Sequence, residues 1–190
     1  DFTRTRAAGH RPRRAMLATI VLVATVTGGR DLVERAQSSS QWNVLESAPP
    51  PDTEHLLTIA VKQRNRDRLE EVLNEVSTPG HPRHGKHLSY HEAHELTSNS
   101  PGTSAVVRWL ISIGANVETT TPHGQYVRAR AHVSTWSHAL KATFKSLVHV
   151  DGGEPIVRAI DDVSVPSEVG THIAAILSAC DLPQRKRSQR

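Results

Sequence analysis

The sequence has a single cysteine, Cys180, among its 190 residues. One thiol cannot form an internal disulfide, and it cannot supply a zinc site built from several cysteines. No C-x-x-C motif or Cys/His signature accompanies it, so we interpret Cys180 as a small apolar residue, buried near the end of a helix. Aromatic residues are also scarce, at 4%. The core must therefore consist mainly of Leu, Val, Ile and Ala.

The sequence also lacks an apolar run of the roughly 20 residues that a membrane-spanning helix needs. Its N-terminal apolar run covers only residues 15–26 and follows Arg11, Arg13 and Arg14. This order is typical of a secretory signal peptide, so residues 1–29 are interpreted as a signal-like segment, with no stable membrane span. The chain does not begin with Met and no clear A-x-A site follows the run. An incomplete signal, a signal anchor and an Arg-rich transit peptide therefore all stay open.

The middle of the chain lacks a net positive charge, although the net charge of the whole chain is +4. Residues 1–30 carry +5 and the last eight residues carry +4, so residues 31–182 carry −5. A nucleic-acid-binding domain is expected to present a basic surface, often with aromatic residues that stack on bases. Neither feature is evident, and we expect no nucleic-acid partner.

The composition divides the chain into four parts. After the signal-like segment, residues 30–52 hold a Ser run and three consecutive prolines, and they are interpreted as a leader. Residues 53–180 form the expected domain. Residues 181–190 form a basic tail or an interdomain linker.

Periodicity within the domain predicts alternating strands and helices. Asn65 and Ser134 stand at N-cap positions, and Trp109 is a candidate core residue. Strands are predicted at 56–62 (largely buried on both faces), 117–121, 125–133, 146–150 and 155–160. Helices are predicted at 66–76, from Pro101 to Gly114, from Ser134, and from Ser167 with Val169, Ile173, Ile176 and Leu177 inward. Hairpin turns at 122–124 and 151–152 make the sheet antiparallel. The fold class is therefore α+β: a two-layer antiparallel sheet with helices, of the ferredoxin-like (split β-α-β) kind.

Several motifs in residues 42–178 resemble the activation domain of pro-kumamolisin, from precursors of the sedolisin family of serine-carboxyl peptidases. The matching blocks are Leu57–Asn65, Val76–Ser89, Glu92–Leu96, Asn99–Pro101 and Val106–Gly114. The most specific block is Pro82–Ser89, read as PRHGKHLS, in which His84 replaces the Tyr that is usual in the family.

The resemblance implies a precursor segment that helps a peptidase to fold and shields its active site until acid pH releases it. It implies a cognate serine-carboxyl peptidase catalytic domain as partner, and a secretory route to an extracellular or lysosome-like compartment. A free-standing inhibitor or binding module that acts in trans is the alternative. The chain itself is expected to be no enzyme and to need no cofactor.

One motif is similar to the nucleophile motif of the family's catalytic domain, G-T-S-A-S. Here the sequence reads Gly102-Thr103-Ser104-Ala105-Val106. It falls at a predicted helix start, where small polar residues are expected as caps. The separate acidic motif that would supply a base for Ser104 is missing from the chain. We therefore interpret the motif as a helix start and predict no catalytic residue.

Five histidines cluster in the sequence, at His81, His84, His87, His91 and His94. Pro82 and Gly85 break any helix through the first part, which leaves His87, His91 and His94 as one possible helical face without an H-E-x-x-H motif. Solvated side chains, a metal site and a pH sensor are the alternatives, and no metal is expected. Eleven of the twelve histidines lie in residues 31–182, so full protonation would change that region from −5 to +6. The five histidines are therefore candidate pH-sensing residues.

Arg185, Lys186 and Arg187 form a basic run beyond the expected domain. They are a candidate processing site between the domain and a following peptidase. A solvated tail is the equal alternative.

Overall fold

The computed structural model describes residues 29–183, which hold nine strands and five helices. In chain order the elements are β1 (Arg30–Glu34), β2 (Trp42–Val44), β3 (Glu54–Val61), α1 (Arg66–Ser77), α2 (Tyr90–Thr97), α3 (Ser100–Ser112), β4 (Asn116–Thr120), β5 (Tyr126–His132), α4 (Val133–Leu140), β6 (Phe144–His149), β7 (Ile156–Ala159), β8 (Val163–Pro166), α5 (Ser167–Gly170) and β9 (Ile173–Leu177).

The central sheet has four strands in the order β4-β5-β3-β9, and every neighbouring pair is antiparallel. Strand β3 turns Leu57 and Ile59 towards the core, where they lie opposite Ala129 and Val127 of β5. The alternate residues of β3, such as Thr58, are only half-buried. The expectation of a strand largely buried on both faces is therefore met in full on one face and in part on the other.

Helices α3 and α4 supply the large side chains that cover the packed face. Trp109 and Leu110 of α3 and Trp136 and Leu140 of α4 belong to the same buried cluster as the inward residues of β3 and β5. The core position predicted for Trp109 is thus confirmed. Strands β3 and β4 run in the same direction on either side of β5, and α1, α2 and α3 lie between them in sequence. The α+β class is confirmed, and the ferredoxin-like assignment stays a prediction.

Two smaller sheets extend the domain beyond the central one. Strand β1 pairs with β8, and β2 pairs with β6, which pairs in turn with β7 through the expected hairpin. Both β1 and β2 come from residues 30–52, the predicted leader. This part of the chain therefore forms strands that pair with the rest of the fold.

The predicted last helix is wrong beyond its first turn. Helix α5 ends at Gly170, and Ile173–Leu177 forms β9 against β3. Ile173 and Ile176 both point inward, although a regular strand would place residues three apart on opposite faces. They share a face because the register shifts where β9 pairs with Ala60 and Val61. The resulting spacing of three is the one that a helix would show. Leu177, predicted to point inward, is 43% exposed.

Two predicted helix caps also differ from the structure. Helix α4 begins at Val133, its N-cap is His132, and no side chain caps it, so the role assigned to Ser134 was wrong. Asn65 does occupy the N-cap position of α1, but it adopts φ 51° and makes no capping hydrogen bond. Its amide instead donates to the Leu96 carbonyl at 2.8 Å, which ties the start of α1 to the end of α2.

Cys180 is buried, as predicted, with 1% of its surface exposed. It follows strand β9 instead of a helix. Burial, together with nearby carboxylates, raises the pKa of its thiol to about 11. A thiol with so high a pKa is almost wholly protonated at neutral pH, which fits an apolar packing role.

Candidate functional site

Residues 78–98, here called the histidine segment, connect α1 to α3 and contain all five candidate pH-sensing histidines. Its first part is a loop that holds His81, His84 and His87. In this loop Gly80 and Gly85 have φ values of 84° and 76°, a conformation that favours glycine. The Gly85 amide donates to the Val76 carbonyl at 2.9 Å, so the loop folds back onto the end of α1.

An ionic contact also attaches this loop to α1. Arg83 lies 2.6 Å from a carboxylate oxygen of Glu75, which also contacts Arg68 at 3.3 Å. These two arginines lower the pKa of Glu75 against the opposing effect of desolvation. All three side chains are at least 26% exposed, so the contact positions the loop more than it stabilises the fold.

Helix α2 forms the second part of the histidine segment and begins with a capping box. The Ser89 hydroxyl accepts from the Glu92 amide, and the Glu92 carboxylate accepts from the Ser89 amide at 2.8 Å. The Ser89 hydroxyl also donates to the Glu92 carboxylate, and this bond, together with the one from the Ser89 amide, lowers the pKa of Glu92. Because the helix starts at Tyr90, His87 lies outside it. The proposed face of His87, His91 and His94 therefore reduces to the last two.

His94 is the one predicted histidine that the structure places against a distant part of the chain. Its ring stacks on that of His123, with centroids 4.0 Å apart and an angle of 4° between the ring planes. Tyr90 packs edge-on against both rings, at 4.0 Å and 5.6 Å. The side-chain amide of Gln125 donates to His94 Nδ1. We call the two stacked rings the His94–His123 pair.

Two physical effects favour the neutral form of His94. Desolvation is the larger, and the neighbouring His123 and His91 add repulsion between like charges, so the pKa of His94 lies below its ordinary value of 6.5. His91 points elsewhere: its Nε2 lies 3.3 Å from a Glu95 carboxylate oxygen, and both side chains are largely exposed.

Sequence reasoning missed His123 and Gln125 as members of this site. Both lie at the turn before β5, and Gln125 is 31 positions from His94. The turn at 122–124 was predicted, but its position beside α2 depends on how α1, α2 and α3 cross the sheet. No local spacing carries that information.

Two further histidines are at least partly buried elsewhere in the fold. His55 of β3 donates through Nε2 to the Ser178 carbonyl at 2.9 Å, and desolvation lowers its pKa. His149 of β6 is buried beside Trp42, with ring centroids 5.2 Å apart. Since His55 and His94 resist protonation, the predicted change of residues 31–182 to +6 needs a lower pH than an ordinary histidine pKa implies.

The Gly102–Val106 motif lies at the start of α3, as predicted. The Asn99 side chain accepts from the Gly102 amide at 3.1 Å and caps the helix. Thr103 donates its hydroxyl proton to a carbonyl oxygen, that of Asn99 at 3.0 Å or that of Gly124 at 2.8 Å. Ser104 is exposed on the same turn. The interpretation of this motif as a helix start is confirmed.

Residues 29–183 contain no group of three or more His, Cys, Asp or Glu side chains arranged to hold a metal ion. No helix within the same range has the length and apolarity to cross a bilayer. The signal-like run at 15–26 and the candidate processing residues Arg185, Lys186 and Arg187 lie outside these residues.

Comparison with known families gives a match over most of this fold. The family described as "Pro-kumamolisin, activation domain" matches residues 40–181. This chain belongs to that family. The match begins before β2 and ends after β9, so it includes the central sheet, the histidine segment and both members of the His94–His123 pair.

The relatives of this activation domain are much longer proteins. A probable tripeptidyl-peptidase SED3 of Trichophyton verrucosum is 29% identical over 149 residues, which are 77% of this chain and 25% of the relative. Tripeptidyl-peptidase 1 of Dictyostelium discoideum is 26% identical over 143 residues, 75% of this chain and 24% of the relative. Tripeptidyl-peptidase 1 of Rattus norvegicus is 46% identical over 66 residues, 34% of this chain and 12% of the relative. The activation domain thus spans about a quarter or less of these relatives.

Proposed function

We propose that this chain is the activation domain of a sedolisin-type serine peptidase precursor, in which it acts as intramolecular chaperone and inhibitor and is released at acid pH. The observation that carries the proposal is the family match over residues 40–181. The proposed partner is the cognate catalytic domain, and catalysis belongs to that partner. In the proposal the precursor enters the secretory pathway and acts outside the cell or in an acidic, lysosome-like compartment.

The sizes of the relatives support a partner joined in the same precursor. The aligned region covers 77% of this chain but only 25% of the probable tripeptidyl-peptidase SED3. The remaining three quarters of such a relative leave room for a catalytic domain. Arg185, Lys186 and Arg187 would then form the processing site, and the N-terminal sequence of the mature peptidase would show whether cleavage occurs there.

The histidine content supports release at acid pH. Eleven histidines lie in residues 31–182, a region of net charge −5, and five of them lie in the histidine segment. In the loop of this segment His84 and His87 are exposed, so both lie on a surface that a partner can contact. A domain whose charge changes sign on acidification loses electrostatic complementarity to a partner suited to its neutral form.

The chaperone and inhibitor roles can be tested together. The catalytic domain of the proposed precursor is refolded at pH 7 alone and with an equimolar amount of the chain, and tripeptide release from a peptide substrate is then measured at pH 5. We expect the chain to raise the recovered activity several-fold and to inhibit the mature enzyme when added at pH 7. Equal recovery with and without the chain, and no inhibition, would contradict the proposal.

The gene itself provides a second test. An in-frame peptidase domain downstream of Arg190 supports the precursor. A stop codon at that point would overturn the proposal in favour of a free-standing inhibitor or binding module.

A further inference from the structure

In the His94–His123 pair, His94 accepts a hydrogen bond at Nδ1. The amide nitrogen of Gln125 can only donate a hydrogen bond, so the ring nitrogen that it contacts accepts in this arrangement. A neutral His94 satisfies this with its proton on Nε2. Protonation of Nδ1 would break this hydrogen bond, and the Gln125 side-chain amide would have to turn over to present its oxygen to the new N–H group.

A positive charge on His123 in addition to one on His94 would further destabilise the packed arrangement. The two ring centroids are 4.0 Å apart, a distance at which two positive charges repel strongly unless water or a carboxylate screens them. Within residues 29–183, the hydrogen bonds and ring contacts of the pair include no carboxylate.

The groups that face the pair come from helix α2 and from the turn before β5. Helix α2 contributes the titratable groups Tyr90 and His91, and His91 already lies beside Glu95. The turn before β5 contributes His123 and Gln125, and Gln125 does not titrate. The nearby titratable cations therefore raise the cost of protonation, since His91 also lowers the pKa of His94.

We propose that the His94–His123 pair is an acid-sensitive contact whose protonation releases the first half of α2 from the turn before β5 while the central sheet stays folded. The pair holds the middle of α2 against this turn by ring stacking and the Gln125 hydrogen bond. Release would free Tyr90 and the start of α2, whereas Gly85 and Arg83 keep most of the preceding loop, with the family's Pro82–Ser89 block, attached to α1.

Separate hydrogen bonds hold the other end of α2. The Arg64 amide donates to the Thr97 carbonyl at 3.0 Å, and the Asn65 side chain donates to the Leu96 carbonyl at 2.8 Å. Neither bond involves an imidazole. The C-terminal end of α2 is therefore expected to stay attached, and the motion is confined to the histidine segment.

The lowered pKa of His94 also indicates that the contact weakens as the pH falls. The released form, with a histidine pKa near 6.5, binds more protons than the packed form as the pH falls. The contact is thus fully stabilising above about pH 6.5 and loses this stability as the pH falls towards the lowered pKa of the packed state. The inference concerns this chain alone, so its failure would leave the proposed peptidase partner untouched.

Amide hydrogen exchange in the full chain at pH 7.5 and pH 5.0, corrected for the intrinsic rate at each pH, tests the proposal. The test variant combines His94→Asn, whose carbonyl can accept from Gln125 without titrating, with His123→Phe, which keeps a ring for stacking. The matched control is His138→Asn, on the exposed side of α4. Amides of β3 serve as the internal reference.

In the wild type and the control, acid is expected to accelerate exchange at 90–94 several-fold relative to β3. In the double variant, exchange at 90–94 is expected to be the same at both pH values. Equal protection of 90–94 at both pH values in the wild type, or full acceleration in the double variant, would overturn the proposal.

A second measurement keeps the test valid if the double variant does not fold. The imidazole NMR signals of the wild type are titrated from pH 8 to pH 4. His94 is expected to titrate below the ordinary histidine pKa of 6.5, and the backbone signals of 90–94 are expected to shift with it. Titration of His94 at or above pH 6.5 would contradict the inference.

Discussion

The central sheet and the histidine segment are stabilised in different ways. In the sheet, Leu57, Ile59, Val127 and Ala129 are each no more than 1% exposed and pack against the tryptophans of α3 and α4. In residues 78–98 the one buried residue is Thr97. The sheet is therefore stabilised by apolar burial, whereas the segment depends on a capping box, an exposed ionic contact and one pair of stacked imidazoles. Local opening is expected in the segment long before the sheet unfolds.

The largest loss of stability is expected in the central sheet, from the substitution Trp136→Ala. Trp136 is fully buried and donates to the His55 carbonyl at 2.9 Å. Removal of a buried tryptophan leaves a cavity and is expected to lower the free energy of unfolding by about 3 to 5 kcal/mol. Urea unfolding followed by tryptophan fluorescence and circular dichroism measures the change. Leu73→Ala, at a site 59% exposed on α1, is the matched control and should change stability by no more than about 0.5 kcal/mol.

A backbone change in the loop is expected to have a smaller effect. Gly85 has φ 76°, and an added Cβ would meet no heavy atom within 4 Å. Gly85→Ala therefore tests conformational strain alone, which is expected to cost about 1 to 2 kcal/mol. The variant Gly85→Asn should lose less, since asparagine adopts this conformation more readily. Urea unfolding measures both. Equal losses in the two variants would show that something other than backbone strain acts there.

Loss of the α2 cap should affect the histidine segment and spare the sheet. Ser89→Ala removes the hydroxyl that accepts from the Glu92 amide, and such a change costs a helix about 1 kcal/mol. Hydrogen exchange should accelerate in α2 with little change in β3, and Ser89→Thr should restore most of the protection. Equal acceleration in α2 and β3 would mean that the two regions unfold as one unit.

The smallest effect is expected from the ionic contact of the loop. Arg83→Gln removes the 2.6 Å contact with Glu75, whose side chain keeps Arg68 as a partner. Because Arg83 is 38% exposed, the cost should be about 0.2 to 1 kcal/mol and should shrink as salt is added. Urea unfolding at low and high salt measures it. A loss that does not depend on salt would point to packing by the arginine stem instead of charge.

The same contrast explains which features the sequence revealed. Alternation in Leu57–Val61 and in Tyr126–His132 predicted β3 and β5, because burial of one sheet face dictates residue type at every second position. The exception was β9, where a register shift lets Ile173 and Ile176 share a face at helical spacing. Strand identity there depends on the partner strand, and the local sequence does not record it.

The candidate site was less predictable than the core. The histidines of the segment form a visible cluster in the sequence. Only His91 and His94 of this cluster lie in helix α2. The decisive neighbour of His94 is His123, which reaches it through the packing of three helices across the sheet. A lone histidine in a turn gives no sign in the sequence that its ring will stack on another.

Acid release of the activation domain, as proposed, is tested by the affinity of the chain for the catalytic domain of the proposed precursor at two pH values. Binding of the chain to its catalytic domain is measured by titration calorimetry at pH 7 and pH 5, for the wild type and for a variant with His81, His84, His87, His91 and His94 changed to Gln. A second variant, His138→Gln with His172→Gln, controls for the removal of histidines outside the segment.

We expect the wild type and the control to bind much more weakly at pH 5 than at pH 7. The five-histidine variant is expected to lose most of this difference. Affinity in the wild type that does not change between pH 7 and pH 5 would contradict acid release. An equal pH dependence in all three proteins would contradict the role of the histidine segment.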